Sequence, residues 1–246
     1  MKPRETPDIE TASAGYARRF AGAAGRYFLE VQRDTVAAAL RGLTPGTLLD
    51  VGGGHGQLAP WLADSGWQVT VSGSAPECFG RLSADPAAGA VQRIVGDLLR
   101  LPVADQAFDV ALAVRLISHM EDWPGQIREL CRIARRAVVI DYPSLRSLNR
   151  LTPLLFGLKK GLEGNTRTYL SFSREQLETE FARHGFRITA HLPQFALPMV
   201  LHRAARGLAP LRWTEAALAA LGVTRRFGSP VILRADRVAA AVGGEA

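Results

Sequence analysis

The stretch Leu48-Leu49-Asp50-Val51-Gly52-Gly53-Gly54-His55-Gly56-Gln57 constrains this chain more than any other. An apolar run holding one acid meets four glycines within five positions. Such a run reads as a buried parallel strand, Thr47 to Val51, that stops at a tight turn. Leu58, Trp61, Leu62 and Ala63 follow at helical spacing, so the turn opens a helix that Gly66 ends. Glycine tolerates positive φ and lets a backbone approach a ligand closely. Asp50 stands at the strand's carboxyl end, where open α/β sheets bind ligands. Gly54 to Ala59 also satisfies the dinucleotide pattern G-x-G-x-x-A, a weak signal alone. A turn that serves no ligand is the bland alternative, and so dense a glycine run counts against it.

The rest of the chain repeats the rhythm. Strands are expected at Trp67 to Val71, Val91 to Val95, Val110 to Val114, Ala137 to Asp141, Phe186 to His191 and Pro230 to Ala235. Helical patterns separate most of them, including Trp123 to Ala134 and a helix that Ser173 and Gln176 open as a capping box. The expected fold is α/β, a doubly wound, mostly parallel seven-stranded sheet with right-handed crossovers. The 246 residues suit one domain spanning 1–246. Residues 1–45 precede the sheet: Met1 to Ser13 reads as disordered, and Tyr16 to Leu40 as one or two helices broken near Gly22 and Gly25. Two helical lid insertions are expected, at 144–170 and 192–227, both apolar residues mixed with Arg and Lys. The pair Arg135-Arg136 reads as a solvated helix end.

The net charge of +7, supplied mostly by arginine, favours anionic surfaces or partners. It does not choose among nucleic acid, membrane and acidic substrate. Cys78 and Cys131 match no disulfide framework, so reduced thiols and a cytoplasmic location are expected. Met1 to Glu10 is charged and proline-bearing, unlike a signal peptide. The five histidines form no metal-ligand spacing, so no metal is expected.

An acid directly before the glycines resembles the class I S-adenosylmethionine (SAM) methyltransferases. Val95-Gly96-Asp97-Leu98, Phe108-Asp109-Val110 and Arg115-Leu116-Ile117-Ser118-His119-Met120-Glu121-Asp122 are similar to three further segments of that family, in order and spacing. The likeness is greatest to its small-molecule branch, which includes ubiquinone and menaquinone methyltransferases, and covers Leu48 to Asp141. It implies SAM as cofactor, bound by Asp50, Gly52, Gly53, Gly54, Gly56, Gly73, Ser74, Asp97, Leu98, Val114 and Arg115. Asp97 would accept from the adenine amine. The family ends its second strand with an acid for the ribose hydroxyls; here that position is Gly73, with Ser72, Ser74 and Glu77 as the nearest substitutes. Asp109 is expected to pair with a turn, and His55 to shape the glycine loop.

His119 lies past the fourth strand and suits a general base or a substrate orienter, with a helix-start histidine bonded to backbone as the alternative. Tyr16, Tyr142 and Tyr169 are candidates to line the substrate side of the cleft. The expected reaction is methyl transfer to a small, apolar or lipid-like acceptor, met in a lid pocket or at a membrane surface. An RNA methyltransferase acting on ribose or a ring carbon is one alternative. Against base-amino methylation, Val114-Arg115-Leu116-Ile117 stands where those enzymes carry N/D-P-P-Y/F, and there is no appended basic module, so a nucleic-acid partner is disfavoured. A non-catalytic SAM-fold protein is the other alternative, suggested by Gly73. Ser/His/Asp hydrolysis lacks its G-x-S-x-G elbow. The oligomeric state is open.

Overall fold

Side-chain alternation along the strands creates two cores, one on each face of a sheet. Leu49, Val51, Ala111, Ala113, Val138 and Ile140 face one side; Leu48, Val110, Leu112, Val114, Ala137 and Val139 face the other. The computed structural model describes residues 4–147, 169–204 and 207–239. In chain order these hold α1 (Pro7–Thr11), α2 (Ala14–Ala17), α3 (Gly22–Leu40), β1 (Thr47–Val51), α4 (Ala59–Asp64), β2 (Gln68–Gly73), α5 (Gly80–Ala84), β3 (Gln92–Val95), β4 (Phe108–Ala113), α6 (Trp123–Ile133) and β5 (Ala134–Tyr142). After β5 come a helix Arg174–Arg183, β6 (Phe186–Pro193), helices Met199–Ala204, Ala209–Ala220 and Val223–Phe227, and β7 (Val231–Arg237).

The seven strands lie in the order β3-β2-β1-β4-β5-β7-β6. β1 to β5 pair in parallel, and β7 runs antiparallel between β5 and β6. The expected doubly wound, seven-stranded sheet is therefore the observed one. The strand order reverses between β1 and β4, and the crevice at a reversal is where such sheets bind ligands. α6 and the helix Arg174–Arg183 cover one face through Ile127, Leu130, Leu177 and Phe181. α3 and α4 cover the other through Val36, Leu40, Ala59 and Leu62. Asp109 fastens the opposite end of the sheet, accepting from the Thr47 backbone N–H at 3.0 Å, the Thr47 hydroxyl at 3.1 Å and Arg135 at 2.8 Å. The capping box at Ser173 forms as its sequence pattern implies.

Three readings of the sequence change. Residues 4–13 are ordered around α1, with Asp8, Thr11 and Ala12 buried. The apolar periodicity that marks a helix is missing there because two polar residues, Glu5 and Asp8, do the anchoring. Gly25 breaks nothing; it lies inside α3, where an added Cβ would stand 2.1 Å from the Phe20 carbonyl oxygen. Arg135 and Arg136 begin β5 rather than ending a helix. Arg136 donates to the Thr44 carbonyl oxygen at 3.1 Å.

Of the insertion at 144–170, Leu151, Leu154, Leu155, Phe156, Leu158, Lys159 and Lys160 lie outside the described residues. The insertion at 192–227 packs inward on α3. Phe195 meets Tyr27 and Phe28 edge-on, with Met199 and Leu208 beside them. Glu215 fixes it from beneath, accepting from the Ala196 N–H at 2.9 Å and the Leu197 N–H at 3.0 Å. Trp213 and Leu221, each 78 % exposed, face outward.

Leu112 is fully buried at the centre of the sheet. Leu112→Ala should cost about 2–5 kcal/mol, the sum of lost transfer energy and a cavity. Urea denaturation followed by circular dichroism measures this, and a loss below about 1 kcal/mol would contradict a close-packed core.

Candidate functional site

The site begins where β1 ends. Gly52 and Gly56 adopt φ of 73° and 71°, left-handed values that L side chains rarely adopt, and they bracket a single turn, Gly53–His55. The turn folds over Asp50 so closely that a Cβ on Gly53 would stand 2.1 Å from the Asp50 carboxylate. Asp50 is 0 % exposed, and neither of its oxygens has a hydrogen-bond partner among the described residues. Burial alone pushes its pKa up to about 7. His55 is buried too, with Nδ1 accepting from the Gln57 N–H at 3.2 Å. Burial and the nearby Arg115 hold its pKa down at about 3, so it is a neutral loop-shaping residue at physiological pH.

Gly73 ends β2, as the alignment of motifs places it. A Cβ there would lie 2.9 Å from Cys78 Cβ and 3.0 Å from the Phe79 ring, so no acid fits at that position. Gly54 is likewise closed in: its Cβ would stand 2.2 Å from the Cys78 carbonyl oxygen. A larger residue at Gly54 would therefore displace the turn Pro76–Phe79. Glu77 is exposed and does not reach in.

An acid from elsewhere does reach in. Asp8, on α1 and 0 % exposed, accepts from the Ser74 backbone N–H at 2.6 Å, the Ser74 hydroxyl at 2.5 Å and the Cys78 thiol at 3.2 Å. Glu5, just before α1, accepts from the Glu121 and Asp122 backbone N–H groups at 2.6 and 2.9 Å. The first helix is thus strapped across the strand ends, from the loop after β4 to the loop after β2. Asp97 accepts from the Leu99 N–H at 3.0 Å in the turn after β3. The Leu98 side chain is buried in the α6-side core and that of Val114 in the α3-side core, so contact with a ligand in the cleft is left to their backbone groups.

Arg115 follows β4 at φ 61°, an uncommon conformation for a residue with a side chain. Its backbone N–H donates to Asp141 Oδ1 at 2.5 Å, and its guanidinium donates to the Gln32 and Gln57 side-chain oxygens and stacks on Phe20, 3.8 Å from the ring centre. Beside it opens a cavity of about 560 Å³. Tyr16, Ser118, His119, Asp141 and Tyr169 line its polar side; Phe20, Phe28, Phe195 and Met199 line its apolar side. His119 and Tyr169 come together with ring centres 5.6 Å apart, Tyr169 on the rim at 65 % exposure. Tyr16 and Tyr169 both line this cavity. Tyr142 does not: its hydroxyl pairs with His191 Nε2 at 2.8 Å, and it borders a separate cavity with Arg146 and Arg174. Alternation along β5 sends Asp141 to the cleft and Tyr142 to the opposite face.

Sequence reading missed Asp8, Gln32 and Asp141. Asp141 ends its strand as Asp50 does, so that signal was present. Among the described residues no cluster of metal-ligating side chains occurs.

A family described as "Methyltransferase domain" matches residues 23–191. No curated protein sequence matches the chain. Among solved structures, magnesium protoporphyrin IX methyltransferase of Synechocystis with bound SAH superposes with a TM-score of 0.64 at 19% identity, covering 92% of this chain and 96% of its own. A geranyl diphosphate methyltransferase in complex with GPP and sinefungin gives 0.61 at 20% identity, over 92% and 84% of the two chains. A [4+2]-cyclase gives 0.58 at 22% identity, over 85% and 82%. The shared feature is the fold, which by itself does not dictate one reaction.

Asp50 and Asp141, the latter raised to about 6 by burial, hold protons more tightly folded than unfolded. Each stabilises the fold fully below about pH 4, and that contribution is lost as pH rises through the folded value. His55, with its pKa lowered, acts with the opposite sign, so the difference between variants is the readout. Asp50→Asn should gain in Tm relative to the parent as pH rises from about 4 to about 7 and level off above. A Tm difference that stays flat across that window would contradict an unpartnered buried carboxyl.

Proposed function

The chain belongs to the methyltransferase-domain family, and from that premise we propose that it transfers the methyl group of SAM to a small-molecule acceptor seated in the cavity beside His119. The observation that carries this reading is an orphaned, buried acid under a left-handed glycine turn at the reversal of the strand order, linked to a cavity of about 560 Å³ by Arg115, which lines the cavity and donates to Gln57 just past the turn. The residues present fit the cofactor. Asp50 offers two acceptor oxygens with no partner among the described residues, at the turn where Gly52 and Gly56 hold left-handed backbone. Asp8 offers the carboxylate that Gly73 lacks, placed at Ser74, the next residue. When bound, SAM supplies a methyl carbon made electrophilic by its sulfonium.

The protein's remaining work is alignment, water exclusion and control of one proton. Phe20, Phe28, Phe195 and Met199 give the acceptor an apolar wall, which supports an acceptor with an apolar body. Two of the similar structures are methyltransferases of magnesium protoporphyrin IX and geranyl diphosphate, both small molecules, which points the same way. His119, on the turn after β4, holds or removes the acceptor proton, and Tyr16 and Ser118 orient the group that carries it.

His119→Gln should lower turnover roughly 10²-fold, measured as SAH formed with an acceptor the parent methylates, while SAH affinity stays unchanged. Full turnover would reduce His119 to a wall residue. Asp8→Asn should weaken SAH binding about tenfold in calorimetry, the worth of one charge-assisted hydrogen bond. Tighter binding in that variant would mean instead that α1 competes with the nucleoside.

A further inference from the structure

The cavity beside His119 is more basic than a purely apolar acceptor needs. Three guanidinium groups line it, Arg19, Arg115 and Arg203, against one carboxyl, Asp141. That carboxyl already accepts from the Arg115 N–H. It is also enclosed, and enclosure disfavours its charged form. Arg115 is tied down by two neutral amides, Gln32 and Gln57, and by the Phe20 face. Arg203 lies over the Phe28 ring, 5.7 Å from its centre, and forms no ion pair among the described residues. Arg19 sits 5.2 Å from the Tyr16 ring centre, with its nearest carboxylate, Glu10, at 4.0 Å, the outer limit of an ion pair.

Arginines held on aromatic faces keep their N–H edges free, and those edges match a carboxylate or phosphate. Cations that face one another across a cavity without matching acids repel, and an anion between them relieves the repulsion. The remaining wall, Phe20, Phe28, Phe195 and Met199, is apolar. We propose that the acceptor is an amphiphilic anion, with an apolar or aromatic body against these rings and a carboxylate or phosphate held by Arg19 and Arg203. This rests on the reading of the cavity as the acceptor site. A carboxylate could also come from the methionine end of the cofactor, and the test separates the two sources.

The full-length protein is titrated with two fluorescent probes of one skeleton, 8-anilino-1-naphthalenesulfonate, which is an anion, and N-phenyl-1-naphthylamine, which is neutral. The anion is expected to bind at least tenfold more tightly. Arg203→Gln combined with Arg19→Gln should lower its affinity at least tenfold and leave the neutral probe within about twofold. SAH affinity, read by calorimetry on the same variant, should not change. Equal binding of the two probes to the parent, or an anion affinity indifferent to both substitutions, overturns the proposal. An SAH loss matching the anion loss also overturns it, because it gives the arginines to the cofactor carboxylate. Failure of the parent to bind SAH would count against the methyl-transfer reading instead, while the probe comparison would still decide the charge of the ligand.

Discussion

A carboxylate buried without a partner at the end of β1 is the constraint around which the site is arranged. Burying an unpaired acid is costly, and a chain tolerates it where something else supplies the compensation. Here the glycine turn folds over Asp50 and leaves both carboxylate oxygens without a partner among the described residues. The four glycines follow from that geometry. Two adopt left-handed backbone, and the other two are pressed against Asp50 and the Cys78 carbonyl. A donor or cation brought to this place by a ligand would satisfy the acid, which gives the site its direction.

The N-terminal segment completes what the sheet leaves open. Gly73 has no room for a side chain, yet a carboxylate still stands at the end of β2, contributed by α1. Two acids, Glu5 and Asp8, use backbone N–H groups on opposite sides of the strand-order reversal. A helix of five residues has little stability of its own, so these bonds and its burial against the turns after β1 and β2 hold it in place. Removing either acid should therefore loosen the whole first helix over the cleft.

The sheet was legible in the sequence because parallel strands buried on both faces carry near-continuous apolar runs. Leu48 to Val51 and Val138 to Ile140 are of this kind. The strand-end acid and the glycine cluster were legible for a local reason, since their geometry is set within ten residues. Asp8 was not legible. Its partner Ser74 is 66 positions away, and nothing in a short polar N-terminal segment announces such a contact. Tyr142 was less legible, because alternation along β5 carries it away from the face that Asp141 presents to the cleft, and its hydroxyl pairs with His191 instead. The excess of arginine was read only as a general preference for anions; the fold brings Arg19, Arg115 and Arg203, far apart in the chain, to one cavity.

If the turn after β1 binds SAM, isothermal titration of the protein with SAM will show it. Saturable binding at one site per chain is expected, with Kd within the range of about 1 μM to 1 mM common for enzyme substrates. No saturable heat up to several times the upper end of that range, with the protein shown to be folded in the same buffer, would contradict it.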